Sequence, residues 1–325
     1  MNKAIFRVSE VFLDFDHFRS VLLGWDVDVT QISPGRLKLG WDQLAFDSGL
    51  TLSHLETNRR LADQMSVAHD RITFVVCFAR NIFCGKEVQE GTMLIFGGGR
   101  EYRSILFEGF ESFEISTSVD MLADWGVEFN NIKLSNLSPE NCRIPLLKSE
   151  TAMYRGLAAA VSQLADSQRD GDSQGNWSLA AREKAVNLTV SVLQRSQTVN
   201  VLPEPDTMNL SGWLLVERAF EKIEKFGLKK VLTVSDLAKM LGCATRTLQV
   251  AFRTTLGITP LQYQLARRLN LVRQELQITS HGQATVTELA TAYEFYHFGR
   301  FAQYYYNLFG ELPSDTLKSF KVPSN

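Results

Sequence analysis

Thr233-Val234-Ser235-Asp236-Leu237-Ala238 opens a segment that closes in Leu256-Gly257-Ile258-Thr259-Pro260. The pattern returns as Thr285-Val286-Thr287-Glu288-Leu289-Ala290, closing in Phe309-Gly310-Glu311-Leu312-Pro313. Self-similarity of this kind marks a repeated supersecondary unit. Each copy reads as helix, tight turn, helix. Ser235 and Thr287 are residue types that cap a helix N-terminus, and Asp236 and Glu288 behind them suit the positive end of the helix dipole. Val234, Leu237, Ala238 and Leu241 recur at helical spacing, as do Val286, Leu289, Ala290 and Tyr293. Ala238 and Ala290 sit where a second helix would cross closely, and Gly242 permits a sharp turn in the first copy.

The second helix of each copy is two-faced. In the first, Leu248, Phe252 and Leu256 form an apolar stripe opposite Thr245, Arg246, Gln249 and Arg253. In the second, Phe298, Phe301, Tyr305 and Phe309 form the stripe and leave Gly299, Arg300, Gln303, Tyr304 and Asn307 outside. Arg and Gln are the side chains that read guanine and adenine edges in a major groove, and a helix-turn-helix unit lays its second helix there. The rival reading of one such hairpin is an ordinary helical pair with a solvated face. Two matched copies joined by a helix-forming segment favour double-stranded DNA as the partner. Arg246 and Gln249 are the expected base readers of the first unit, with Thr245 and Arg253 nearer the backbone. Arg300 and Gln303 are their expected counterparts, with Gly299 allowing close approach and Tyr304 or Asn307 touching sugar or phosphate.

The segment from about Trp213 to Phe320 resembles the DNA-binding region of the AraC/XylS transcription regulators. The resemblance rests on Ser235-Asp236-Leu237-Ala238, Thr247-Leu248-Gln249, Phe252-Arg253, Leu256 through Tyr263, and Arg267-Arg268-Leu269. In the second copy it rests on Leu289-Ala290, Phe295, Phe301, Phe309-Gly310 and Pro313-Ser314. It covers about a third of the chain. It implies two helix-turn-helix units joined by a long helix, reading two successive major grooves of promoter DNA, with RNA polymerase as a further partner. Three positions depart from the family pattern: Glu294 where Gly is usual, Gln303 where Arg is common, and Tyr306 where Lys is common. The stretches His297 to Ala302 and Pro313 to Leu317 look more like the ethanolamine-utilisation regulator branch, whose effector is not carried over.

With 325 residues the chain is long enough for two cores. Its net charge of −2 hides an asymmetry: from Ser211 onward 14 Lys and Arg face 9 Asp and Glu, a net of +5, leaving −7 for the rest. A basic module joined to an acidic one suits a nucleic-acid reader with a separate sensing or assembly part. No apolar run is long enough to span a membrane and no signal-peptide pattern opens the chain, so a cytoplasmic location is expected. Cys77, Cys84, Cys142 and Cys243 match no zinc spacing and are expected as free thiols, all four as small buried hydrophobes, with a redox pair of Cys77 and Cys84 as the rival reading.

Residues 3–20 read as a short surface helix or docking segment. Strands are expected at Val27–Ile32, Arg36–Trp41, Leu44–Phe46, Leu50–Glu56, Ile72–Phe78, Thr92–Phe96 and Ser112–Ser118, separated by turn residues. The fold class is therefore α+β. An N-terminal antiparallel β-rich domain of the jelly-roll or cupin type precedes a C-terminal all-α domain with two helix-turn-helix units. His54 and His69 are the histidines near the strands, and no His-x-His pair accompanies them, so no metal, cofactor or catalytic residue is expected. Gly97-Gly98-Gly99 reads as a turn, not a phosphate loop. Two helices follow, Glu150–Ser167 and Trp177–Arg195, around a polar loop at 168–176. In the second, Leu179, Val186 and Leu193 recur every seventh residue, with Val190 beside them. Val186 and Leu193 then belong either to a homodimer seam or to packing against the barrel. The expected organisation is 1–148 sensing or assembly, 149–195 helical dimerisation or packing, 196–210 linker with Pro203 and Pro205, and 211–325 DNA binding. The joining helix should run from about Pro260 to Gln277. This makes a DNA-binding regulator controlled by a small-molecule effector. Two rivals are a cupin-like enzyme with a DNA-binding appendix and an architectural DNA binder without an effector.

Overall fold

The computed structural model describes residues 4–22, 25–125, 143–166, 172–198, 210–227, 231–279 and 284–319. Pro203, Pro205 and Cys142 lie outside them, as does most of the expected linker. The N-terminal half begins with strand β1 (Ala4–Phe12) and helix α1 (Phe15–Val21). Then come β2 (Trp25–Gln31), β3 (Leu39–Phe46), β4 (Thr51–Thr57), β5 (Leu61–Val67), β6 (Arg71–Cys77), β7 (Asn81–Phe83) and β8 (Lys86–Val88). β9 (Thr92–Gly97), β10 (Glu101–Leu106), β11 (Phe110–Ser118), helix α2 (Val119–Asp124) and β12 (Arg143–Pro145) complete it. One sheet runs β1-β3-β4-β11-β6-β9-β12 and the other β2-β5-β10-β7-β8. Every pairing in both is antiparallel. The sheets face each other through Phe83, Phe96 and Tyr102, whose ring centroids lie 4.8–5.6 Å apart. This is the antiparallel β-rich domain that the strand pattern predicts.

Several local readings change. The first residues form an edge strand and then α1, with Asp14 capping it by accepting from the His17 N–H. The two short strands expected around Trp41 and Phe46 are one continuous strand, β3. β5 and β10 escape sequence reading because Asp63 and Ser104 stand at buried positions where an apolar residue would signal a strand. Helix α3 (Lys148–Asp166) and α4 (Asp172–Thr198) agree with expectation, but α4 starts inside the expected polar loop. Leu193 is 1% exposed in the N-terminal core, and Val186 packs against the same core. Leu193 therefore packs within the chain, while Leu179 and Val186 are half-buried.

The C-terminal half contains α5 (Leu210–Lys222), which runs into a π-helical turn at Ile223–Gly227, and α6 (Val234–Leu241). It continues with α7 (Thr245–Leu256), α8 (Pro260–Ile278), α9 (Val286–Ala292), α10 (Phe298–Phe309) and α11 (Pro313–Ser319). The caps of α6 and α9 are Thr233 and Thr285, two residues ahead of the expected Ser235 and Thr287. Each threonine hydroxyl accepts from the N–H three residues on. In α9 the Glu288 carboxylate reaches back to the Thr285 N–H and closes a capping box. Those bonds hold the Glu288 carboxyl below its ordinary pKa. Thr259, Pro260 and Gln262 start α8 in the same way. Ile32, Ala62, Ile82 and Ile105 of the sandwich share one core with Trp213, Phe220 and the helices of this half.

Candidate nucleic-acid interface

In both units the second helix is held from behind and bare in front. Leu248, Phe252 and Leu256 of α7 are buried, as are Phe301, Tyr305 and Phe309 of α10. Thr245, Arg246, Arg253, Gly299, Arg300, Gln303, Tyr304 and Asn307 are exposed, and Gln249 is half-buried. All nine expected contact residues therefore reach the surface of the two helices. Phe298, expected in the buried stripe, is instead 44% exposed. It opens the first turn of α10, where Phe295 and Phe301 already fill the core at a ring distance of 4.9 Å.

The two turns differ. Gly242 ends α6 with φ +66°, and the corresponding residue after α9 is Glu294 with φ +60°. The second turn is one residue longer, since two residues separate Gly242 from α7 and three separate Glu294 from α10. It is braced from α8. Arg268 donates to the Tyr293 carbonyl and stacks over Phe295 at 4.2 Å. Gln264 of α8 braces the entry to the first unit by bonding both the N–H and the carbonyl of Leu232 at 3.0 Å. The joining helix is thus a buried spine, and the Arg267-Arg268 pair belongs to the interior and not to the DNA face.

That spine also meets the sandwich. Arg267 donates to Asp28 at 3.0 Å, to Glu224 at 2.9 Å and to Thr30 at 3.2 Å. Burial would raise the Asp28 carboxyl, but Arg267 and Arg19 beside it outweigh burial and hold it below its ordinary range. Asn270 exchanges two hydrogen bonds with the backbone of Gln31. The carbonyl ends of both second helices are capped from the same side. Arg60 donates to the Leu256 carbonyl at 2.9 Å. The Gln31 amide donates to Leu308 at 2.6 Å, and the Gly35 N–H lies 3.0 Å from the same carbonyl.

Inside the sandwich is a second polar group. Gln43, Ser53 and Glu114 stand in register across three strands. Their face is opposite His54, which bonds Ser162 of α3 at 2.9 Å and so lies outside the sandwich. Asp63 and Ser104 are paired on the facing sheet. Burial pushes Asp63 up to about 7 and Glu114 up to about 8. Gln43 Oε1 and Asn81 Oδ1 are buried without a hydrogen-bond partner. Sequence reading missed this group because its residues are spread over both sheets and only the register brings them together, with Asp63, Ser104 and Asn81 on strands that were not expected. Among the described residues no three His, Cys, Asp or Glu side chains converge as metal ligands. Nor is any helix among them long and apolar enough to cross a membrane.

A family described as a helix-turn-helix domain matches residues 237–319. XylDLEGF operon transcriptional activator 2 of Pseudomonas putida is 37% identical over 114 residues, covering 34% of this chain and 73% of that protein. The chain belongs to the AraC/XylS family of transcriptional regulators. The curated relatives it matches are regulators of transcription, and the similarity lies in the C-terminal third of this chain. XylDLEGF operon transcriptional activator 1 from the same organism is 37% identical over 107 residues. That match spans about a third of each protein, 32% in both cases. A solved regulator with an AraC-type DNA-binding domain from Chromobacterium violaceum is 27% identical. The match covers 36% of this chain and 100% of that one, with a TM-score of 0.32. In this AraC/XylS regulator the two units correspond to α6–α7 and α9–α10.

Proposed function

We propose that this regulator is controlled by a small-molecule effector held in its N-terminal sandwich, and that it binds promoter DNA as a homodimer in the cytoplasm. The observation that carries the reading is the capping of both second helices by one face of the sandwich, through Arg60 on α7 and through Gln31 and Gly35 on α10. A change in the sandwich would reach both DNA-reading helices together. The buried polar interior formed by Asp63, Glu114, Gln43 and Asn81 suits an effector with hydrogen-bonding groups. The nine exposed residues on α7 and α10 are the proposed DNA contacts, with Arg246 and Gln249 reading bases in the first unit and Arg300 and Gln303 in the second. RNA polymerase is the proposed partner on the bound promoter. The domain division at 148, 195 and 210 and the place near the ethanolamine-utilisation branch belong to the same proposal. The test is a double variant, Arg60→Ala with Gln31→Ala. Its affinity for a selected duplex should differ from the wild type by about tenfold, within the usual range of coupling between sites. Equal affinity would leave the sandwich as an assembly domain. Mapping bound DNA across the genome would then identify the regulated genes and, through them, the effector.

A further inference from the structure

The two second helices can be placed in register without reference to their exposed residues. Both are 12 residues long and both end at a left-handed glycine, Gly257 and Gly310. Counting back, the buried residues Leu248, Phe252 and Leu256 fall on Phe301, Tyr305 and Phe309. In this register Arg246 is matched by Gly299, not by Arg300, and Gln249 is matched by Ala302. Thr245, which opens α7, is matched by Phe298, which opens α10. The face that carries hydrogen-bonding readers in the first unit therefore carries small and apolar groups in the second.

Two features of that face have no explanation inside the protein. Phe298 is 44% exposed and lies outside the core that its neighbours Phe295 and Phe301 fill. Gly299 has an ordinary helical backbone, and a Cβ added there would meet nothing within 4 Å. Neither packing nor conformation calls for glycine, although glycine weakens a helix relative to alanine. A bare backbone beside an exposed ring, at the end of the helix that enters the groove, suits close contact with base edges. Thymine presents a methyl group in the major groove, and apolar side chains read it.

We propose that Phe298 is a specificity residue of the second unit and reads a thymine through its 5-methyl group. Gly299 brings the helix close enough for that contact, and Arg300 sits on its other side. The first unit then discriminates by hydrogen bonds alone, and the second adds apolar contact through Phe298 to the hydrogen bonds of Arg300. This rests on the DNA-binding reading of the second unit.

The experiment uses the full chain and a duplex selected from random sequence. Each thymine of the selected site is replaced in turn by deoxyuridine, which lacks only the methyl. One replacement should weaken wild-type binding about three- to fivefold, the effect of one buried methyl-sized group. Phe298→Ala should bind the thymine duplex more weakly and be indifferent to that replacement. Gly299→Ala should keep its helical circular dichroism and lose affinity at the same cluster. The inference is overturned if no thymine is sensitive, or if Phe298→Ala responds to deoxyuridine as the wild type does. Failure of the wild type to select any duplex would instead remove the DNA-binding reading itself.

Discussion

Glu294 shows how one residue departs from its repeat. It holds the left-handed backbone that Gly242 holds in the first unit, and for a residue with a Cβ this conformation costs about 1 kcal/mol. Its carboxylate accepts from the Val231 N–H at 3.3 Å, a long bond that offsets little of the cost. Glu294→Gly is expected to raise stability by about 0.5–1 kcal/mol in urea unfolding. A loss would show that the carboxylate is needed at this turn. Asp63 and Glu114 set a pH dependence. Both bind protons more tightly folded than unfolded, so their burial costs nothing below the unfolded value of about 4. The cost then grows as pH rises through about 7 and about 8. The midpoint of unfolding should fall from pH 5 to pH 8, and Asp63→Asn should flatten the slope. The exposed polar residues of α7 and α10 were legible in the sequence because Arg and Gln alternate with apolar residues at helical spacing. Phe298 was not, because it fits the same spacing as Phe301 and only the filled core excludes it.

At the scale of elements, a hydrophobic repeat does not say what it packs against. Leu179, Val186 and Leu193 fit an intersubunit seam, yet Leu193 is buried by its own chain. Leu193→Asp is therefore expected to unfold the N-terminal half, at a cost above 3 kcal/mol, without producing a folded monomer. A folded monomer in sedimentation analysis would restore the seam. The capping box of α9 gives a milder test: Thr285→Ala should cost about 1 kcal/mol. The helices and the first-turn proline of α8 were legible from spacing and caps. Strands β5 and β10 were not, because Asp63 and Ser104 interrupt their inward faces and Ala62 and Ile105 on their other faces are buried too, so the alternation that marks a half-buried strand is lost. Ser235 and Thr287 misled for a related reason: two capping residue types stand within three positions, and only geometry selects the earlier one.

For the whole molecule, the sequence foretold two bodies of opposite charge but not how tightly they join. Arg267, Asn270 and Arg273 face the sandwich from α8, and none of them differs in type from residues of a solvated helix. Asp28 supplies the pH-dependent part of this junction. Its lowered carboxyl favours the closed arrangement above about pH 4, the unfolded value, and the contribution is lost as pH falls through the folded one. A fragment starting near Pro205 is expected to fold and to bind DNA with a salt-dependent affinity. Loss of the Ile82 and Ile105 cover over the shared core should make it less stable than the intact protein.

The central claim is that two exposed helices on one buried spine read two clusters of one duplex. The direct measurement is selection of binding sites from random DNA by the wild type, by Arg246→Ala and by Arg300→Ala. The account predicts two clusters about ten base pairs apart, one helical turn. Arg246→Ala should relax base preference in one cluster only and Arg300→Ala in the other only, each by about 1–3 kcal/mol of discrimination. The first unit should lose more, because the second also reads through Phe298. If both variants keep the wild-type motif and bind every sequence more weakly, the arginines grip phosphate and the claim of two base-reading helices fails.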